Sequence, residues 1–156
     1  MDKKLQEKEE IKNSKFDKIR LWLLLRRLEK QKEVKLELLP DGNTQVTLTE
    51  KGKVKHFRFH LGDIAENFSS KAWDGKWRII FFDVPEKKRS DRNGFRNVLT
   101  GLKFYKLQKS VYLTPYPCES EIEYFRQYYG LGSEVQTLIT DRIENDQAYR
   151  LYFGLT

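Results

Sequence analysis

The sequence predicts an α+β fold, and three observations carry that prediction. Residues 78–82 are an apolar run of strand length, rich in Ile and Phe, which ends on Asp83 and is stopped by Val84-Pro85. Phe95, Val98, Leu99 and Leu102 then recur at helical spacing over a segment of about 87–100, with Gly101 as its stop. Residues 104–113 alternate as a second strand, with Tyr105, Leu107, Lys109, Val111 and Leu113 on one side. A strand, a turn carrying an acid, a basic helix and a returning strand make one half of a split β-α-β, ferredoxin-like unit, and a further helix and strand supply the other half.

Taken in order, residues 1–14 are almost wholly polar and are expected either to fray or to extend the helix behind them. Asn13 or Ser14 is spaced to cap that helix, in which Phe16, Ile19 and Leu23 follow at helical intervals and Trp22, Leu24, Leu25 and Leu28 widen the apolar side to about Lys32. Residues 34–39 alternate, Pro40-Asp41-Gly42-Asn43 has turn chemistry, and residues 45–48 return, so a β-hairpin follows the helix. A second helix-compatible segment opens at Thr49 and runs through Val54 and Phe57 to about Leu61. Residues 1–61 thus form a helix and a two-stranded wing. That is a partial winged-helix segment, because a recognition helix needs about two others to pack against before it can enter the major groove.

Residues 62–74, with Asn67, Ser69 and Ser70, are the expected linker, and 75–156 the ferredoxin-like domain. Inside it Ser120 and Glu123 have capping-box spacing ahead of Ile122, Phe125 and Tyr129, and Gly130 and Gly132 end that helix. Residues 134–140 form the last strand. Residues 143–153 read as a short final helix that starts at Asn145 or Asp146.

Charge narrows the function. The formal net charge of +7 favours a polyanionic partner, nucleic acid above all, over a neutral ligand. The excess is uneven: residues 1–72 hold 17 Lys and Arg against 12 Asp and Glu, while residues 73–156 hold 13 against 11. Cys118 stands alone, which excludes an intrachain disulfide and a zinc knuckle and fits a cytoplasmic protein. The apolar run 21–25 is far short of the roughly 20 residues a bilayer needs, so no membrane span is expected. No nucleophile triad, phosphate-cradling glycine loop or dinucleotide fingerprint is present.

Asp83 is the candidate for metal chemistry, since a hard cation such as Mg²⁺ prefers oxygen ligands, takes one or two carboxylates and keeps several waters. It has a plain alternative, as a helix cap or an ion-pair partner of Lys87 or Lys88. Asp74, Glu86 and Asp91 are weaker metal candidates. Lys87, Lys88, Arg89, Arg92 and Arg96 form one group of phosphate-binding candidates. Arg26, Arg27, Lys30, Lys32 and Lys35, with Lys51, Lys53, Lys55 and Arg58 beside the wing, form the other. Each group reads equally as a solvated helix face. His56 and His60 have the four-residue spacing of a helical metal pair but no acid beside them. Trp73, Trp77, Tyr124, Tyr128 and Tyr129 are bases' stacking partners or core residues.

The runs FFDVPEKKR at 81–89 and LQKSVY at 107–112 resemble the small CRISPR-associated endonuclease, the second Cas protein. The wider order, with WDGKWR at 73–78 and TPYPCESEIE at 114–123, is similar to the central domain of PaaX-type transcriptional repressors, over about residues 73–153. The first resemblance implies a homodimer beside an integrase partner, with Asp83 in the matching acid position as catalytic ligand of Mg²⁺ or Mn²⁺, shared with its counterpart across the two-fold axis. It also implies a C-terminal segment that crosses to the dimer mate. The second implies a winged helix ahead of the domain and regulation of transcription through DNA. Two expectations therefore stand together: a metal-dependent endonuclease, and a PaaX-like regulator or non-catalytic architectural dimer. The choice between DNA and RNA is open.

Overall fold

In the computed structural model, which describes residues 3–155 and side chains from residue 17 onward, the chain divides into two units, Met1–Phe59 and His60–Thr156. The first unit begins with α1 (Lys3–Lys30), so residues 3–14 extend the helix and Asn13 and Ser14 lie inside it, not ahead of it. Strands β1 (Val34–Leu38) and β2 (Thr44–Leu48) pair antiparallel, with Val34 opposite Leu48 and Leu38 opposite Thr44. The turn between them works as its residues require. Gly42 takes φ +83°, and the Asp41 carboxylate accepts the Asn43 amide at 2.9 Å. Helix α2 (Glu50–Ser69) is capped by Thr49, whose hydroxyl accepts the Gly52 amide at 3.1 Å while donating to the Lys32 carbonyl at 2.7 Å.

Residues 62–69, expected as linker, belong to α2. Ile64 and Phe68 are buried and four apart, so packing of one helical face outweighs the roughly 1 kcal/mol that Gly62 costs a helix. The irregular stretch is only 70–76.

The second unit continues with β3 (Trp77–Phe82), α3 (Arg89–Gly101), β4 (Tyr105–Gln108), β5 (Val111–Thr114), α4 (Glu119–Tyr129), β6 (Val135–Thr140) and α5 (Asp146–Phe153), with a 3₁₀ turn Glu86–Lys88 leading into α3. The sheet order is β4-β5-β3-β6 and every neighbouring pair is antiparallel, the arrangement of two interleaved β-α-β halves. The fold is α+β and ferredoxin-like. Residues 104–113, expected as one strand, are two strands reversed at Lys109-Ser110, with a register shift between Lys106 and Gln108. No glycine or proline marks that reversal, which is why alternation alone reads straight through it.

Strand alternation sends Ile80 and Phe82 to one side of the sheet, where Phe82 meets Phe95 edge-on at 5.2 Å and Phe95, Val98, Leu99, Ile122 and Phe125 close the core under α3 and α4. On the opposite side Trp77 is fully buried, with Tyr149 and Phe153 of α5 each 6.2 Å away. Further along that side the cover ends: Ile79 is half-buried, Phe81 is 38% exposed and Leu138 53% exposed.

Two expected caps do not form. Cys118, not Ser120, precedes α4, and Glu123 binds Arg126 and Gln127 instead of reaching back. Asn145 begins α5 in the left-handed region, φ 61°, without a side-chain bond, and Asp146 pairs with Arg150 at 2.7 Å. The α4 terminus is as expected, with Gly130 left-handed at φ 61°. Among the described residues no helix is long and apolar enough to cross a membrane.

Candidate functional site

Asp83 lies at the tip of β3, and by strand alternation it falls on the same side of the sheet as Phe81. Two backbone bonds fix the tip. The Phe82 amide donates to the Ser110 carbonyl at 3.1 Å and the Asp83 amide to the Glu134 carbonyl at 2.9 Å, so the acid stands between the β4–β5 turn and the loop ahead of β6. Its side chain is exposed, and among the described residues no cation lies within ion-pair distance of it. It caps nothing either: Pro85 precedes the 3₁₀ turn, Lys88 precedes α3, and neither start has a side-chain cap. The carboxylate is therefore available to a cation from outside the chain.

The basic group on α3 divides into tied and free residues. Lys88 donates to the Gly130 carbonyl at 2.8 Å and pairs with Glu134 at 2.7 Å, a contact that also holds the Glu134 carboxyl below its usual range. Arg96 donates to the Lys109 carbonyl at 3.1 Å and the Ser110 hydroxyl at 3.2 Å. These two side chains pin the turns on either side of Asp83, so they build the tip and are not spare phosphate ligands. Arg92 donates to the Val84 carbonyl at 3.2 Å and pairs with Glu86 at 3.1 Å, and the exposed Arg89 lies 3.6 Å from the same carboxylate. Lys87 is exposed and has no partner among the described residues.

Lys109 was not among the expected binding residues, because it reads as one position of a strand. The turn that interrupts that strand leaves its ammonium exposed and unpaired beside the tip. The signal available in the sequence is the polar Gln108-Lys109-Ser110 interrupting an otherwise apolar alternation.

The first unit's cations divide in the same way. Lys53 pairs with Glu50 at 2.7 Å, Lys55 with the buried Glu33 at 2.6 Å, Lys35 with Glu37 at 2.8 Å and Arg26 with Glu29 at 2.9 Å. Lys51 donates to the Gln31 carbonyl at 2.8 Å. Arg27, Lys30, Lys32 and Arg58 are exposed and unpaired among the described residues.

Other candidates are used structurally. Asp74 grips Arg78 with both oxygens, at 2.5 and 2.6 Å, and that guanidinium holds its carboxyl down to about 2. Glu86 is shared by Arg89 and Arg92. His60 packs against Tyr124 at 4.8 Å, and among the described residues no three metal-ligating side chains gather. Trp77 is sealed in the core and Trp73 lies under the Arg150 guanidinium at 4.3 Å, so neither is presented to a base. Burial pushes the Cys118 thiol up to about 12, which leaves it unreactive.

The tip as a whole offers one free carboxylate, two unpaired ammonium groups and an adjoining uncovered apolar strip. A family model described as the PaaX protein central Cas2-like domain matches residues 70–151, and no curated protein matches the chain.

Proposed function

From the premise that this chain belongs to the PaaX central Cas2-like domain family, we propose that it works as a nucleic-acid-binding homodimer. The observation that carries this reading is the pair of free cations, Lys87 and Lys109, standing on either side of an exposed strand tip next to uncovered apolar sheet surface. Two copies that bury Ile79, Phe81 and Leu138 against each other bring four such cations toward one face. Phosphate contacts of this kind hold a duplex without reading its sequence, which suits the regulator or architectural role that the resemblance to PaaX-type repressors implies.

The test is fluorescence anisotropy with duplex DNA, single-stranded DNA and RNA across a salt series. The expected result is affinity that falls linearly in log–log form with salt, with a slope smaller by about 3 to 4 per dimer in Lys87→Ala/Lys109→Ala, since each lost phosphate contact removes about 0.9. Binding that ignores salt, or no binding at all, overturns the reading. Phe81→Glu is expected to turn the dimer to monomer in sedimentation velocity if the sheet faces pair.

A second reading is favoured by the unpartnered Asp83 carboxylate: metal-dependent hydrolysis of phosphodiesters. One chain offers a single acid, whereas Mg²⁺ or Mn²⁺ accepts two carboxylates and fills its remaining positions with water, so the donor set fits an ion held by Asp83 of both copies. Such an ion would supply Lewis-acid charge beside the scissile phosphate. The chain's own part is to hold the acid rigid through the Phe82 and Asp83 amides and to keep phosphates at Lys87 and Lys109. Cleavage that requires Mg²⁺ or Mn²⁺ and is lost in Asp83→Asn supports this reading. Binding that survives in Asp83→Asn without any cleavage by the wild type leaves the regulator reading alone, and cleavage undiminished in the variant refutes Asp83 as ligand.

A further inference from the structure

The second unit holds a cleft at the end of its sheet away from Asp83. β5 runs antiparallel to β3 with Val111 opposite Phe81 and Thr114 opposite Arg78, so Tyr116 follows β5 at the end far from the acid. There the last turns of α2, the residues after α3 and the end of α5 join Tyr116 in lining about 600 Å³, a volume typical of small-molecule sites. Two lining residues are buried and apolar, Phe68 at 3% and Leu102 at 6% exposed. Tyr116, Tyr152 and Phe153 add three more rings. Tyr116 meets Phe68 and Phe153 at 88° and 87°, and Tyr152 meets Tyr105 and Phe153 at 82° and 87°, so among the described residues no ring is stacked on either tyrosine. Lys103 also lines the cleft. It takes φ 64°, the left-handed conformation that glycine adopts most readily, where its amide and that of Phe104 close α3 onto the Thr100 and Leu99 carbonyls. Its ammonium is exposed and has no partner among the described residues. The end of the helix thus needs the conformation and not this side chain.

We propose that the cleft is a nucleotide site, in which an unpaired base stacks among the Tyr116, Tyr152 and Phe153 rings and its phosphate meets the Lys103 ammonium. Three observations select that chemistry. Among the described residues no acid lines the cleft, so a negative charge beside Lys103 meets no repulsion. Tyrosine rings without a stacked neighbour suit a flat π system, and base–aromatic stacking tolerates any base. Neither tyrosine hydroxyl has a hydrogen-bond partner among the described residues, and a hydroxyl both donates and accepts, as the edge of a base does. A plain aromatic carboxylate would cover those hydroxyls without answering them, at the cost of unmade hydrogen bonds. The cleft is separate from Lys87, Lys109 and the Phe81 strip, so the proposal does not rest on the dimer.

The experiment is isothermal titration calorimetry of the full chain with adenosine monophosphate, uridine monophosphate and adenosine, with circular dichroism of each variant. Both nucleotides are expected to bind, and adenosine more weakly, because it lacks the phosphate. Lys103→Gly should weaken the nucleotides while leaving adenosine unchanged, and should hold or raise the melting temperature, since glycine suits the left-handed position. Tyr152→Leu, at a residue 52% exposed, should weaken all three about 10-fold, the effect of losing one stacking ring. Lys87→Ala/Lys109→Ala should change none of them. A duplex with a single-stranded end, compared with the blunt duplex, separates the two sources of such a ligand. A preference for the overhang that Tyr152→Leu abolishes assigns a strand end, and nucleotide binding without that preference assigns a free nucleotide. No binding of either nucleotide at millimolar concentration overturns the proposal, as does nucleotide binding indifferent to Lys103→Gly and Tyr152→Leu. Nucleotide binding removed by Lys87→Ala/Lys109→Ala places the ligand at the tip and also overturns it, and so does benzoate bound through Tyr152 and Lys103 in place of the nucleotides.

Discussion

His60–Thr156 and Met1–Phe59 are built from the same kinds of patterned segments, yet only one of them closes a core. In the second unit Trp77, Ile80, Phe95, Leu99, Leu113, Phe125 and Leu131 are all essentially inaccessible. In the first, among the described side chains, Val34 and Phe57 are the buried apolar ones, while five residues of α1 and three of the hairpin stay exposed. The difference is one of layers. A sheet with helices across it gives each element's apolar face a partner layer, whereas a helix with a single hairpin leaves much of each face uncovered. Amphipathic pattern makes the elements, and only a second layer turns them into a core.

The largest expected effect probes that contrast directly. Phe95→Ala removes a ring with no exposed surface from beneath α3, and should cost about 3 to 5 kcal/mol in urea denaturation. Val34→Ala, a change at a buried apolar residue of the first unit, should cost about 1 to 2 kcal/mol, because it removes only two methyl-sized groups. A Val34→Ala cost of about 3 kcal/mol or more, beyond what two buried methyl-sized groups supply, would mean that the first unit is at least as tightly packed as the second, and would erase the comparison.

Next come the two glycines at close approaches, one in each unit. A β-carbon on Gly52 would run into the backbone carbonyl of Glu33, which also accepts the Thr49 amide at 3.0 Å and cannot retreat without losing that bond. A β-carbon on Gly94 would meet the edge of the Tyr129 ring, a side chain packed against Phe95 and Tyr128 but not backbone. Overpacking costs about 1 to 3 kcal/mol, and replacing a helical glycine by alanine returns up to about 1. Gly52→Ala should therefore destabilise clearly and speed amide exchange at the start of α2, while Gly94→Ala, which displaces a ring and not a hydrogen-bonded carbonyl, should cost less. The reverse order in thermal melts would show that the α3–α4 contact is the stiffer of the two. Thr49→Ala, which removes the cap of α2, should follow at about 1 kcal/mol, read as a lowered melting temperature.

How much of this was legible depends on whether the signal is local. β3, α3, the Gly130 terminus and the hairpin turn at Asp41-Gly42 are written in adjacent residues, because apolar period, left-handed glycine and turn chemistry act within a few positions. The reversal at Lys109-Ser110 was not legible: it is held by Arg96 from another helix and by the Phe82 amide, both distant in sequence. The length of α2 past Leu61 likewise depends on the burial of Ile64 and Phe68. At the candidate site, the acid was readable but its surroundings were not. Lys88 and Arg96 look like surface charge in sequence and become pins only once Glu134, Gly130 and Ser110 are near, whereas Lys109 looks like a strand residue and becomes a free cation.

The smallest effect tests the buried charge of the second unit, Arg78, the counterpart of the buried Glu33 that Lys55 answers in the first. Arg78 is 4% exposed on β3 and is answered by both Asp74 oxygens, by the carbonyls of Lys76 at 3.0 Å and Pro115 at 3.2 Å, and more loosely by Glu119 at 3.5 Å. Because the guanidinium holds the Asp74 carboxyl at about 2, below the roughly 3.9 of an unfolded aspartate, the pair's stabilisation is present above about pH 4 and drains away as pH falls toward 2. Asp74 is 40% exposed on its side chain, so solvent screening reduces the gain to about 1 kcal/mol. Asp74→Asn should thus be less stable than wild type by about that amount at pH 7, with the two denaturation curves converging between pH 4 and pH 2. A gap that stays constant down to pH 2 would mean that the carboxylate contributes shape and hydrogen bonds alone, and that Arg78 is held by its carbonyl partners.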